Sequence, residues 1–270
     1  MATLHTGSGD KQHKVVSEQQ WIEARKELLK KEKEFTQQRD QISQLRRELP
    51  WVKVKKDYVF DGPNGKEKLS DLFDGRSQLI IYHFMHAPDW EEGCKSCSYV
   101  ADHMGPTLIH LAHRDTTLAV VSHASIDRIQ AFKKRMGWNF KWVSAFNNDF
   151  NSDYHVSFTN EETANGKAYY NYEIAGFPVK EGPGISVFYK DDTTGDIYHT
   201  YSSYARGLDI LLGTYNYLDM TPKGRDEDGL AFSMSWLRYH DSYDDNYKLD
   251  PKAGYQPPKS SECCHQEHHS

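Results

Sequence analysis

The first sustained pattern in the chain is a heptad. Trp21, Leu28, Phe35, Ile42 and Leu49 recur at every seventh position in a run otherwise rich in Lys, Arg, Glu and Gln. That spacing returns to nearly the same side of an α-helix, so it predicts one long helix over residues 17–49. Ser17, with Gln20 three positions on, has the form of a capping box, in which each side chain satisfies an orphan amide of the first turn. Pro50 disfavours helical geometry in the residue before it and sets the other limit. In the complementary heptad position Ala24 and Leu45 are apolar, but Lys31 and Gln38 are not. A coiled-coil seam needs both positions filled. The stripe therefore suits either an arm packed on its own domain or a homodimer formed through the N-terminal helix. Lys26, Lys30, Lys31, Glu32, Lys33 and Glu34 make a solvated face, and the polar residues 1–16 read as a disordered lead.

After the helix the period changes. Val52–Val54 and Tyr58–Phe60 are short strand-like segments, followed by the turn cluster Gly62-Pro63-Asn64-Gly65. They predict a hairpin or a pair of edge strands. Leu69–Phe73 reads as one helical turn. An alternation of buried strands and amphipathic helices comes next. The strands are Gln78–Phe84 and Thr117–Ser122. The helices run from Cys97 to about His113, interrupted at Gly105-Pro106, and from Ser125 to about Met136. Ile185–Tyr189 and Ile197–Tyr201, joined across Asp191–Gly195, read as an antiparallel pair, and Leu208 to about Leu218 as a closing helix. A βαβ unit followed by a hairpin and a helix fits an α/β fold of thioredoxin-like topology: a central mixed sheet flanked by helices, with the long helix and a hairpin added at the N-terminus. The domain is expected over residues 50–247, its part beyond about 220 lacking a clear period. Residues 248–270 read as a disordered tail.

Composition narrows the function classes. A net charge of −6 provides no electrostatic footprint for nucleic acid. No run of eighteen apolar residues suggests a membrane span, and Met1–Asp10 has no apolar core of a secretory signal. Hydrophobic residues make up 37% and aromatic ones 13%, so the core must rely on aromatic packing. The 4 cysteines fall into two close pairs, Cys94/Cys97 and Cys263/Cys264. That is too few, and too clustered, for a secreted disulfide scaffold, which favours a reducing, cytoplasmic setting.

The candidate chemistry sits at Cys94 and Cys97, at the junction between the first central strand and the next helix. Amide donors at a helix start stabilise a thiolate. Cys94 is thus expected to attack a disulfide, and Cys97, one turn later, to resolve the mixed disulfide. Glu91 and Glu92 oppose thiolate formation and Lys95 favours it; if the carboxylates prevail, the pair acts as a reductant. Trp90 lies in the loop leading to Cys94 and Pro183 just before the strand at Ile185, and both are expected to contact substrate. A cis Gly182–Pro183 bond would suit that position, as would an ordinary turn.

Several segments resemble a bacterial and fungal domain-of-unknown-function family described as thioredoxin-like, predicted dithiol–disulfide oxidoreductases. They are Pro88-Asp-Trp-Glu-Glu-Gly-Cys94-Lys-Ser-Cys97-Ser98, Arg135–Trp138, Asp149–Asn151, Gly184–Phe188, Tyr201–Gly207 and Leu218–Arg225, within residues 17–240. The resemblance implies a thioredoxin-like fold and a redox role for Cys94 and Cys97. The layout is also similar to the peroxiredoxins. Where that group has a hydroxyl residue and a proline before its reactive cysteine, however, this chain has Glu91 and Ala87, with Pro88 one residue off. Arg206 is the candidate guanidinium for a thiolate in that reading.

The expected function is therefore a thiol–disulfide oxidoreductase acting on a protein or small-molecule disulfide, with an unidentified reductant as partner. The alternatives are a peroxiredoxin-like thiol peroxidase and a non-enzymatic thioredoxin-fold scaffold. No cofactor is expected, since no glycine-rich phosphate loop follows a strand. The 14 histidines, including His83, His86, His103, His110 and His113, show no complete zinc-ligand spacing, so no metal is expected there. The Cys263–His269 tract has metal-friendly composition only.

Overall fold

The computed structural model describes residues 3–5 and 12–243. The tail at 248–270, with Cys263 and Cys264, lies outside the described residues. Strands β1 (Thr3–His5) and β2 (Gln12–Lys14) pair antiparallel, within the stretch whose composition reads as a disordered lead. Helix α1 (Glu18–Glu48) follows, and its capping box is formed: the Gln20 amide donates to Ser17 Oγ, and the Ser17 amide to Gln20 Oε1.

No residue of α1 is buried, and Trp21 and Phe35 are 58% and 65% exposed. The heptad stripe is therefore not buried against the domain, although Phe35 and Ile42 line one wall of a groove whose other wall includes Ile210. Lys31 and Gln38 deny the stripe a second apolar row, so one narrow ridge remains. The C-terminal half of α1 borders this groove, facing Asp209 and Asn216, and Arg46 lies over the Tyr201 ring at 5.5 Å.

Eight of the ten remaining strands form one sheet. They are β3 (Val52–Lys53), β4 (Val59–Gly62), β5 (Gly65–Lys68), β6 (Gln78–His83), β7 (Thr116–Ser122), β8 (Lys141–Ser144), β11 (Gly184–Lys190) and β12 (Ile197–Tyr204). Their spatial order is β3-β12-β11-β6-β7-β8-β4-β5. Strands β6, β7 and β8 are parallel, while β11 runs antiparallel to β6 and β12 to β11. Four adjacent strands, β7-β6-β11-β12, are a parallel βαβ unit joined to an antiparallel hairpin, which is the thioredoxin-like arrangement. The two early strand segments do not pair with each other. Val52–Lys53 joins one edge of the sheet through β12, and Val59–Gly62 the other through β8. The hairpin forms one step later, between β4 and β5, where Gly62–Gly65 turns the chain.

Side chains alternate across the sheet with period two. Leu79 and Ile81, with Val121, Val143 and Phe188, face a cluster covered by the helical turn Leu69–Phe73 and α5 (Phe150–Asp153). Tyr82, Val120 and Trp142 face the opposite cluster, with Phe84 just beyond β6, under α2 (Lys95–Ala101) and α4 (Ile126–Met136). Helix α4 buries Ile129, Phe132 and Met136 and ends at Gly137 in the left-handed region, φ 66°. The Gly105-Pro106 break is a 3-10 turn between α2 and α3 (Leu108–Ala112). The aromatic stretch after α4 holds β8, α5, α6 (Asn160–Ala164) and the small hairpin β9 (Ala168–Tyr170)–β10 (Glu173–Ala175). A 3-10 turn (Ala205–Leu211) and α7 (Gly213–Leu218) replace a single closing helix. Among the described residues, no helix is long and apolar enough to cross a membrane.

Candidate active site

Strand β6 delivers the chain to the site. Beyond it the backbone loops out through Trp90, Glu91 and Glu92 and returns at Cys94, whose N–H donates to the Met85 carbonyl at 2.9 Å. That bond fixes the loop base. Cys94 is the N-cap of α2, and its carbonyl accepts from both the amide and the hydroxyl of Ser98, each at 2.9 Å. Both cysteines are free thiols, Cys94 half-buried and Cys97 buried.

The two sulfurs are electrostatically unlike. The Cys97 thiol, followed by the amides of Cys97 and Ser96, holds Cys94 down to about 6, against the opposing effect of burial. Burial raises Cys97 well above the ordinary thiol range, and the neighbouring Cys94 raises it further. The pair thus loses its first proton readily, and the charge resides on the outer sulfur. The Cys97 sulfur accepts a long contact from the Met85 amide, 3.5 Å. Glu92 does not oppose this charge, because its carboxylate is paired with Arg135 on α4. Lys95 lies over the Tyr239 ring, its Nζ 5.8 Å from the centroid.

Trp90 is half-buried against the apolar cluster that contains both cysteines. Its carbonyl accepts from Arg128 at 2.8 Å and contacts His86 Nε2 at 3.2 Å. Pro183 directly precedes β11, whose first residue, Gly184, lies opposite His83. The Gly182–Pro183 bond is trans, and no peptide bond among the described residues is cis. The segment before it runs extended beside residues 156–158, with Phe158 N–H donating to Lys180 O and Gly182 N–H to Val156 O, each at 2.8 Å. A trans chain satisfies that ladder.

Three tyrosines also stand at this site, of which sequence reasoning missed Tyr82 and Tyr239. Tyr82, on β6, is 1% exposed and belongs to the same cluster as Cys97. Tyr170 donates to Pro183 O at 2.6 Å and accepts from the Ala205 amide at 3.0 Å. Tyr239 donates to Gly93 O at 2.7 Å. Of the two missed, only Tyr82 had an available signal: its strand alternation places it on the face beneath the following helix.

Among the histidines, His83 and His103 are held by side-chain hydrogen bonds within the fold. His83 Nε2 is 2.8 Å from Ser186 Oγ. His103 contacts Tyr99 O at 2.7 Å and accepts from the Thr214 amide at 3.0 Å. Among the described residues, no three His, Cys, Asp or Glu side chains gather as a metal site. Arg206 points into solvent, 85% exposed, with Asp209 3.7 Å away.

Comparison with known proteins gives a family and weak structural likenesses. No curated protein matches the chain. Peroxidoxin BcpB from Mycobacterium tuberculosis overlays with a TM-score of 0.41 at 12% identity, covering 62% of this chain and 95% of that one. PrxQ from Xylella fastidiosa gives 0.38 at 11% identity, covering 62% and 94%. StoA from Bacillus subtilis gives 0.36 at 11% identity, covering 60% and 98%. The family profile described as "Bacterial protein of unknown function (DUF899)" matches residues 10–243. The cysteine loop, the sheet that carries it and the C-terminal segment that covers it all fall within that match, and the chain belongs to the DUF899 family.

Proposed function

We propose that the chain is a thiol–disulfide oxidoreductase in which Cys94 is the nucleophile and Cys97 the resolving thiol. The observation that carries this reading is the asymmetry of the pair: a half-buried sulfur held as thiolate next to a fully buried sulfur held as thiol. Exchange needs that division of labour.

In the forward direction the Cys94 thiolate attacks one sulfur of a substrate disulfide. That S–S bond breaks, and its other sulfur leaves as a thiolate that takes a proton from solvent. Cys97 then loses its proton and attacks Cys94, which releases the second substrate sulfur and leaves a Cys94–Cys97 disulfide. A dithiol reductant returns the pair to its reduced form. Trp90 and Pro183 serve as substrate contacts: Trp90 borders the apolar cluster around the thiols, and Pro183 opens the strand beside β6. A disulfide is favoured over a peroxide because Arg206, the guanidinium a peroxide reading would enlist, is 85% exposed beside Asp209, and position 91 carries a carboxylate in place of a hydroxyl.

The test is catalysed reduction of insulin disulfides by dithiothreitol. The full chain should accelerate it, and Cys94→Ser should return the rate to the uncatalysed one. Acceleration retained by Cys94→Ser would remove Cys94 as nucleophile.

A further inference from the structure

Tyr82 carries a hydroxyl that the folded chain does not otherwise use. It sits on β6, on the face that packs beneath α2, in the apolar cluster shared with Cys97. Its oxygen is sealed from solvent and, among the described residues, has no hydrogen-bond partner. A buried phenol normally finds one, because leaving it unpaired forfeits its hydration without return. Of the other phenols near the pair, Tyr170 is committed to Pro183 and Ala205 and Tyr239 to Gly93, while the Tyr99 hydroxyl, on α2, also lacks a partner among the described residues but its ring packs away against Tyr215 and Trp236.

We propose that the Tyr82 hydroxyl is the hydrogen-bond donor that receives the Cys97 sulfur when it leaves as a thiolate, a positioning role resting on the exchange reaction proposed above. When a reductant thiolate attacks Cys94 of the oxidised pair, the Cys94–Cys97 bond breaks and a reductant–Cys94 disulfide forms. The bonding electron pair goes to Cys97, which becomes a thiolate at a buried position. An unpaired buried anion is costly. The groups facing it are the Cys94 sulfur, the Met85 amide at 3.5 Å, Tyr170 and Tyr82. Tyr170 already donates to Pro183, which leaves Tyr82 and the long Met85 contact to hold the charge. Burial, then the charge of Cys97, keeps the Tyr82 phenol protonated, so it remains a donor throughout the working pH range. Hydrogen bonds of this type are often unformed in the resting state and tighten as charge develops.

The test isolates Cys97 in the full chain carrying Cys94→Ser, Cys263→Ser and Cys264→Ser, with carbon-13 at the cysteine Cβ. The chemical shift then follows ionisation of Cys97 alone. Adding Tyr82→Phe should raise its midpoint by about one pH unit. In the chain with its cysteines intact, Tyr82→Phe should slow reduction of the Cys94–Cys97 disulfide by dithiothreitol roughly tenfold. An unmoved midpoint overturns the proposal. Should Tyr82→Phe not fold, 3-fluorotyrosine at position 82, a stronger donor of similar size, should lower the midpoint; no movement there overturns it equally. A wild-type chain that exchanges no disulfide, while the midpoint still moves, would sink the oxidoreductase reading and leave the hydrogen bond standing.

Discussion

The Tyr239 hydroxyl donates to the Gly93 carbonyl across 2.7 Å, joining residues 146 positions apart at the peptide that precedes the nucleophile. Arg135 reinforces the junction by bridging Asp241, at 2.8 Å, and Glu92. Leu237 and Tyr239 are buried in the cluster that holds Cys97. From the other side the loop rests on Phe84 and Phe132: a Cβ built on Gly93 would lie 2.9 Å from Phe132 and closer still to Phe84. The C-terminal segment is therefore a brace over the cysteine loop. It keeps Cys94 at the start of α2, where the amides of Ser96 and Cys97 can reach its sulfur.

Loosening the brace should be felt in both stability and reactivity. Tyr239→Phe removes one hydrogen bond and should cost about 1 kcal/mol. Gly93→Ala, which forces a methyl group against two rings, should cost about 1–3 kcal/mol. Denaturant titration measures both. If the brace also positions the thiol, each variant should raise the pH midpoint of Cys94 alkylation. Lost stability with an unchanged midpoint would restrict the segment to a structural role.

The brace also marks where sequence reading stops. The strands β6 and β7, the helix α4 and the cysteine junction are legible because each carries its own period: Leu79, Ile81, Val121 and Ile129 sit where alternation or helical spacing puts them. Leu237, Tyr239 and Asp241 have no period at all. Their roles arise from contacts with residues more than a hundred positions away, which local pattern does not encode. The same limit applies to Val52 and Val59: both read correctly as strand, but their placement on opposite sheet edges depends on β12 and β8. At Glu92 the sequence showed a carboxylate near Cys94, and only the fold brings Arg135 to neutralise it.

The ionisation of the pair makes a direct prediction. Iodoacetamide should alkylate Cys94 with a rate that rises through a midpoint of about 6 and levels off before the ordinary thiol range, while buried Cys97 should react little. The sign for stability follows. A thiol whose folded value is depressed stabilises the fold above its unfolded value, and that contribution is lost as pH falls through about 6. A profile that rises only above pH ~8 would contradict the assigned stabilisation of the thiolate.

The order of attack is separable by mutation. Cys97→Ser leaves the Cys94 nucleophile in place but removes the resolving sulfur, so a disulfide substrate should become trapped on Cys94 as a stable mixed disulfide, released by dithiothreitol and visible as added mass. Cys94→Ser should trap nothing, since Cys97 is buried with a raised thiol value. Trapping on Cys97 instead would reverse the two roles.

His83 sets the response to acid. It is 1% exposed on β6, its ring within 5.6 Å of Phe150 and 5.9 Å of Tyr154, and its Nε2 starts a chain through Ser186 and Ser202 to His199. Burial holds its imidazole down to about 3, whereas an unfolded chain would protonate it near 6.5. Below that upper value the unfolded state binds a proton that the native state refuses, so stability must fall as pH drops towards about 3. At pH 4 the loss from this one group approaches about 3 kcal/mol. Burial also lowers His86 and His199, which add loss of the same sign. His83→Gln keeps a donor for Ser186 and removes the titrating ring. It should cost about 1–3 kcal/mol at pH 7 and flatten the decline in unfolding free energy between pH 6.5 and 4 by up to one proton's worth, about 1.4 kcal/mol per pH unit. Carboxylates contribute equally to both proteins, so the difference between their slopes isolates His83. Parallel slopes from urea titrations at several pH values would show that the ring is protonated in the native state.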